Sequence, residues 1–283
     1  MKNNYILPTK DLLEKNSYST DSKYYNLSKI LLKKDLGDKL TVPIGISEDK
    51  KKYYINLSKI SGLFVAGETG SGKSIFLDSI IVTLLMKNTP RDLRFLLIDS
   101  KKIELFEFSE IPHLMDKVTN DPKTAVDLIK DLVKMMNDRR KMLQNDGYKN
   151  IENYNDKNDD KMSHIMVVID ESTDIMFYKK TKDLLEKILL DGEKLGIHLI
   201  IATNAYVKRD FDKDLLNMFD YVMSFDLATK DQAKFMNLKN ADLLTVTGEA
   251  LVRTKRDISK IQAPYVSLEE VNEVVNFIKN QNK

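Results

Sequence analysis

The sequence predicts an α/β fold, with a mostly parallel sheet and helices on both of its faces. Short apolar runs of strand length recur along the chain, and amphipathic segments of helix length separate them. That alternation is typical of parallel strands that are buried on both sides. The 283 residues are enough for one or two domains, and the chain contains no internal repeat.

Each element is predicted from a local stretch of sequence. Apolar runs predict strands at 62–66, 93–98, 165–169, 198–202, 221–225 and 249–252, and a pair of short strands around a charged turn within 40–57. Helical spacing predicts helices at 74–86, 121–143, 182–195 and 267–279, the last opened by the capping box Ser267 and Glu270. Residues 144–163 are polar and turn-prone, so we expect a surface excursion there. We expect 1–38 to be an N-terminal arm or appendage and 39–283 to be the main domain.

The composition excludes several functional classes. The 45 Lys and Arg nearly balance the 43 Asp and Glu, so a site for a polyanion must be a local patch. The absence of cysteine removes disulfides, Cys-ligated zinc and thiol catalysis, and the three histidines lack metal-ligand spacing. The apolar runs are too short for a transmembrane helix, and the N-terminus lacks a signal-peptide pattern. We therefore expect a cytoplasmic protein without a transmembrane segment of its own.

The segment 67–74 fits the phosphate-loop pattern GxxxxGK[ST] at every fixed position. Glycines allow main-chain amides to turn toward phosphate oxygens, and the following helix presents its amino end to them. Lys73 can reach the β- and γ-phosphates of ATP, and the Ser74 hydroxyl can bind Mg²⁺. The predicted ATP-binding residues are Gly67, Glu68, Thr69, Gly70, Ser71, Gly72, Lys73 and Ser74.

Two further strand ends carry candidate catalytic residues. The run at 165–169 ends in Asp170 and Glu171, and parallel strands deliver such residues to the ligand crevice. We expect Asp170 to help hold Mg²⁺ and Glu171 to orient and deprotonate the attacking water. Asn204 follows the strand at 198–202 and can contact the γ-phosphate or the water. A turn or helix-cap role for Asn204 remains an alternative.

With these motifs placed, the sequence resembles the motor domain of the FtsK/SpoIIIE DNA translocases, in the HerA–FtsK group of RecA-like P-loop ATPases. The resemblance lies in the stretches 63–74, 96–114, 119–129, 147–155, 167–176, 196–204 and 263–281. Within 96–114, residues Asp99, Lys101, Glu104, Pro112 and His113 match. The resemblance implies a ring-forming, hexameric motor that moves double-stranded DNA with ATP and Mg²⁺.

Some positions depart from the family pattern. The family has Gln-Arg-Pro after the strand at 198–202, whereas this chain has Asn204-Ala205-Tyr206. An arginine finger supplied in trans either is absent or comes from one of the seven arginines, Arg91, Arg94, Arg139, Arg140, Arg209, Arg253 and Arg256. Because such a finger accelerates turnover by about 10³–10⁵, we expect isolated chains to be weak ATPases. The family's membrane segments and winged-helix DNA reader are not in this sequence, which favours a DNA-transfer or coupling ATPase of a mobile element.

Basic residues in two predicted loops are candidates for contacts with DNA phosphates. They are Lys179, Lys180, Lys208 and Arg209, and a solvated charged turn is the alternative for each loop. Two other functions compete with DNA translocation. One is a protein-moving ATPase like those of type VII secretion, and the other is a low-turnover switch in which ATP binding drives assembly.

Overall fold

A computed structural model describes residues 5–13, 25–31, 37–101, 104–204, 211–227 and 229–282. The strands in these ranges are β1 (Tyr25–Asn26), β2 (Thr41–Ile46), β3 (Lys52–Asn56), β4 (Gly62–Ala66), β5 (Leu93–Asp99), β6 (His164–Asp170), β7 (Ile197–Thr203), β8 (Tyr221–Ser224), β9 (Glu249–Arg253), β10 (Ile258–Gln262) and β11 (Pro264–Tyr265). The α-helices are α1 (Leu27–Ile30), α2 (Lys73–Lys87), α3 (Pro122–Asn145), α4 (Ile151–Lys157), α5 (Thr173–Met176), α6 (Thr181–Asp191), α7 (Lys213–Met218), α8 (Lys230–Phe235) and α9 (Leu268–Lys279). Short 3₁₀ helices lie at Lys10–Leu13, Leu57–Lys59, Leu105–Phe108, Glu193–Leu195, Ala241–Leu243 and Asn280–Asn282.

A nine-stranded sheet in the described part of the chain has the order β3-β2-β10-β9-β8-β4-β7-β6-β5. The five strands from β8 to β5 are parallel to one another, and β9, β10, β2 and β3 extend the sheet in antiparallel pairs. The α/β class is therefore confirmed, and the antiparallel extension is larger than the sequence indicated.

Both faces of the sheet are covered because side chains along each central strand alternate between two cores. In β4, Leu63 and Val65 pack with α2 and α9, whereas Phe64 and Ala66 pack with α3, α6 and α7. This burial on both sides explains the continuous apolar runs in the sequence. None of the helices in the described ranges has the length and apolar character needed to cross a bilayer.

The segment 144–163 differs from the expected surface excursion because it contains the helix α4. Ile151 at the start of α4 is fully buried, and Asn150 caps the helix by accepting from the Asn153 amide. The rings of Tyr148 and Tyr154 meet edge to face with centroids 5.2 Å apart. One buried apolar side chain and one aromatic pair therefore stabilise the segment 144–163, although most of its residues are polar.

The described parts of residues 1–38 pack against the rest of the chain. Leu13, Leu27 and Ile30 are buried, and β1 pairs in parallel with β11. The Ile6 main chain exchanges two hydrogen bonds with the side chain of Gln281, at 2.6 and 2.7 Å. The beginning and the end of the described chain therefore lie side by side.

Candidate nucleotide site

The loop from Gly67 to Gly72 connects β4 with the amino end of α2. Gly70 and Gly72 have φ angles of +83° and +106°, in the left-handed region that favours glycine. A side chain at Gly72 would also approach the main chain of Gly248 within 3.0 Å. The Gly248 amide donates to the Ser71 carbonyl at 2.8 Å, and the Glu68 amide donates to the Asp226 carbonyl at 2.9 Å. The loop is therefore held between the two halves of the sheet.

Strand register brings the predicted site residues to one edge of the sheet. Within the parallel part, Ala66 pairs with Thr203, Ala202 with Asp170, and Asp170 with Asp99. The ends of β4, β7, β6 and β5 therefore lie side by side. Because β4 leads into the phosphate loop and β6 into Asp170 and Glu171, the two motifs face the same crevice.

A cavity of about 370 Å³ opens at this edge. Its lining includes nine predicted residues, namely Glu68, Thr69, Gly70, Gly72, Lys73, Ser74, Asp170, Glu171 and Asn204. Of the other loop residues, Gly67 donates its amide to the Thr203 carbonyl at 3.3 Å and Ser71 is buried beneath the loop. The free main-chain amides at the start of a helix and its dipole favour an anion here.

Lys73 and Asp170 form the centre of this site. The Lys73 Nζ atom lies 3.5 Å from Asp170 Oδ1, and both side chains are almost completely buried. Burial raises the pKa of Asp170, and the neighbouring Lys73 ammonium opposes that shift. Two buried atoms at the site, Asp170 Oδ1 and Ser71 Oγ, have no hydrogen-bond partner among the described residues. Such atoms fit a site that is completed by a cation and a phosphate.

Glu171 lies next to this centre in an unusual main-chain conformation. Its φ of +55° is uncommon for a residue with a side chain and is typical of functional turns. Glu171 Oε1 accepts from the Thr173 hydroxyl at 2.8 Å, and Oε2 accepts from the Asn204 amide at 3.3 Å. Asn204 is therefore brought to the cavity as expected, and its main chain contacts Glu171.

The four basic residues proposed to contact DNA form two pairs, and the structure describes only the first pair. Lys179 and Lys180 are exposed between α5 and α6, in the segment that follows the acidic pair. Lys208 and Arg209 lie outside the described residues. Phe177 and Tyr178, directly before the two lysines, are also exposed.

Sequence reasoning gave no role to several residues at the site. Lys101 and Glu104 follow β5, and Thr247 precedes β9, and all three line the cavity. Asp78, one helical turn after Ser74, is largely buried, and burial together with nearby Glu104 and Asp170 raises its pKa well above the usual range. The polar stretch after the buried strand at 93–98 was the available signal for Lys101 and Glu104.

A GKS loop between a buried strand and a helix, facing an acidic pair at the end of the next strand but one in the sheet, defines a P-loop ATPase. The FtsK/SpoIIIE family model matches residues 33–209, more than half of the chain. The chain belongs to the FtsK/SpoIIIE family.

Named relatives agree with this family. The chain is 31% identical over 254 residues to a DNA translocase FtsK of Campylobacter jejuni, with 86% of this chain and 26% of the relative covered. It is 33% identical over 268 residues to a DNA translocase FtsK of Leptospira interrogans, with 90% and 28% covered. The chain thus spans between a quarter and a third of the length of these two relatives.

Solved structures share the α/β fold described above. The pCW3 conjugation coupling protein TcpA, in a monomer form with ATPγS, superposes with a TM-score of 0.75 at 24% identity, covering 92% of this chain and 75% of TcpA. EssC (ATPases 2 and 3) from Geobacillus thermodenitrificans superposes with a TM-score of 0.72 at 18% identity, covering 86% and 48%.

Proposed function

We propose that this chain is an ATP-hydrolysing motor that translocates double-stranded DNA, in the manner of a DNA-transfer or coupling ATPase. The observation that carries the proposal is the 3.5 Å contact between Lys73 and Asp170 in the cavity that Glu171 also lines. We further propose that 39–283 form the ATPase domain, with 1–38 as an arm. A cytoplasmic location is part of the same proposal.

The proposed roles follow from the position of each side chain. Gly67 through Ser74 would hold the triphosphate, with Lys73 against its β- and γ-phosphates. Ser74 and Asp170 would hold Mg²⁺, which supplies charge neutralisation for the phosphates when bound. Glu171 would accept the proton of the attacking water, and Asn204 would contact the γ-phosphate or that water.

DNA as the cargo is supported by the family and by exposed cations. The named relatives are DNA translocases, and Lys179 and Lys180 are exposed in the segment after the acidic pair. We propose that these lysines contact DNA phosphates, and that Lys208 and Arg209 do the same. A homo-oligomeric ring, hexameric in the manner of the family, would place such segments around the DNA.

The test is the ATPase rate with and without saturating duplex DNA. We expect duplex DNA to stimulate hydrolysis, and Lys179→Ala/Lys180→Ala to raise the DNA concentration for half-stimulation roughly tenfold, since two phosphate contacts are lost. The matched control, Lys134→Ala/Lys141→Ala, removes two exposed lysines of α3 and should behave like wild type. Lys73→Ala should abolish the activity and define the background.

An unchanged rate at saturating duplex DNA would contradict DNA translocation. Capture of a small helical protein without any affinity for DNA would instead favour a protein-moving ATPase. Hydrolysis near the Lys73→Ala background under every condition would favour an assembly switch.

A further inference from the structure

The carboxylate of Glu171 forms an ion pair with Lys101, a side chain that has no role in the proposed function. The Lys101 Nζ atom lies 3.1 Å from Glu171 Oε2. The same oxygen accepts from the Asn204 amide, while Oε1 accepts from the Thr173 hydroxyl. Three donors therefore engage the group that must accept a proton from water. Oε2, which carries two of these contacts, becomes more available as an acceptor if one of them leaves.

Among the three donors, Lys101 is the one that can most readily leave Glu171. The Asn204 donor is a main-chain amide, and Thr173 is only two residues from Glu171. The Lys101 side chain is 47% exposed, whereas that of Glu171 is 9% exposed. An ammonium on a four-carbon stem can change partners without a change in the main chain.

The main chain beneath Lys101 is fixed by a buried carboxylate. Asp99 is fully buried at the end of β5 and accepts from the Lys101 amide at 3.2 Å and from the Leu105 amide at 2.9 Å. The root of the Lys101 side chain is therefore anchored beside the cavity. Only the end of the side chain, with its ammonium group, can therefore move from one acceptor to another.

The cavity that Lys101 lines also contains the phosphate loop residues Gly70, Lys73 and Ser74. A triphosphate held by that loop adds a strong anionic acceptor at the same edge. The Lys101 ammonium is half-exposed and can be hydrated as it changes partners. The buried Glu171 carboxylate keeps the donors Asn204 and Thr173. A terminal phosphate carries more negative charge than a carboxylate, so it attracts the ammonium more strongly.

We propose that Lys101 senses ATP: its ammonium exchanges Glu171 Oε2 for the γ-phosphate when ATP binds. The move frees Oε2 to accept the proton of the attacking water. Lys101 is thus a positioning residue for Glu171 in one state and a ligand of the γ-phosphate in the other. This inference rests on the role proposed above for Glu171.

The test compares the affinities for ATPγS and ADP, measured by calorimetry without DNA. Lys101→Ala should weaken ATPγS binding about tenfold and leave ADP binding nearly unchanged, because only ATPγS has a phosphoryl group at the γ position for the ammonium. Lys101→Arg should restore much of the discrimination. Lys130→Ala is the matched control, because Lys130 is equally exposed and pairs with Asp127 on α3.

A second arm uses the ion pair itself. Glu171→Gln removes the competing carboxylate, so ATPγS should bind more tightly, and Lys101→Ala in the Glu171→Gln background should cancel the gain. An ATPγS-to-ADP affinity ratio unchanged by Lys101→Ala, or equal losses for both nucleotides, would overturn the proposal. Absence of DNA stimulation in a chain that shows the ratio change would contradict only the proposed cargo.

Discussion

Three histidines, of which His113 and His198 are buried and His164 is partly buried, show how the core constrains single titratable side chains. His164 Nδ1 lies 3.0 Å from His198 Nε2, with the rings stacked at 5.3 Å, so one ring donates a hydrogen bond to the other. Burial lowers the pKa of His198 to about 3, and burial with nearby Arg139 lowers that of His164 to about 4. Burial also lowers the pKa of His113 to about 4. All three rings are therefore neutral in the folded protein at neutral pH.

This predicts a loss of stability on mild acidification. In the unfolded chain each ring binds a proton near pH 6.5, whereas the folded chain resists protonation until about pH 4. Between these values the unfolded state binds more protons, so the free energy of unfolding falls as the pH falls. At pH 5 each fully buried ring should lower the free energy of unfolding by on the order of 2 kcal/mol.

Urea unfolding at pH 7 and pH 5 measures this effect. The double variant His164→Leu/His198→Leu should lose less unfolding free energy between these pH values than wild type. An equal loss in both proteins would show that the pair does not drive the acid sensitivity.

At the scale of elements, α9 illustrates a helix whose start is set by side chains. Ser267 Oγ accepts from the Glu270 amide at 3.2 Å, and Glu270 Oε2 accepts from the Ser267 amide at 2.8 Å. The capping box predicted from the sequence is therefore confirmed. The apolar face of α9, with Val271, Val274, Val275 and Ile278, packs into the core that also holds α2.

Removal of this cap should destabilise the protein without altering catalysis. Ser267→Ala should lower the free energy of unfolding by about 1 kcal/mol, because the Glu270 amide loses its partner. Ser267→Asn retains an acceptor and should be nearly neutral. Chemical denaturation measures the difference, and the turnover of folded protein at saturating ATP should not change. A loss equal to that of Ser267→Ala in the Asn variant would contradict the capping role.

The elements that sequence patterns located best are those with strong apolar periodicity. The central strands β4 to β7 lie within two residues of their predicted bounds, because burial on both faces leaves a continuous apolar run. The strand β10 was not predicted, although it lies between β9 and β2 in the sheet. Around the exposed Ile258, apolar and polar residues do not alternate clearly. The segment is a strand because it pairs with β9 and β2. The helix α4 was missed for a similar reason.

At the scale of the whole molecule, the site combines parts that sequence reasoning could and could not assign. The phosphate loop and the acidic pair were predicted because their chemistry is encoded in contiguous residues. Lys101 and Thr247 were not given roles, because only the strand order brings the ends of β5 and the start of β9 to the cavity. Lys101 lies in the stretch 96–114 that matches the family, but the match gives it no chemical role, and Thr247 lies in none of the matched stretches.

The positions of the arginines bear on whether neighbouring subunits share an active site. None of the arginines in the described ranges lines the cavity, and Arg209 lies outside them. If a neighbouring subunit supplies the missing cation, the ATPase rate per chain should rise steeply with protein concentration. The rise should reach several orders of magnitude, as expected for an arginine finger. A rate per chain that is independent of concentration, with or without DNA, would contradict shared active sites.

The close approach of Gly72 to Gly248 joins the phosphate loop to the antiparallel half of the sheet. Both glycines have left-handed main-chain angles, and a Cβ atom at Gly72 would lie 3.0 Å from the main chain of Gly248. A Cβ atom at Gly248 would instead meet the side chain of Gln262. A side chain at Gly72 would push apart the two surfaces that the hydrogen bond from Gly248 to Ser71 joins. Substitution of Gly72 is therefore expected to disturb the turn before β9 together with ATP binding, whereas substitution of Gly248 acts first on Gln262.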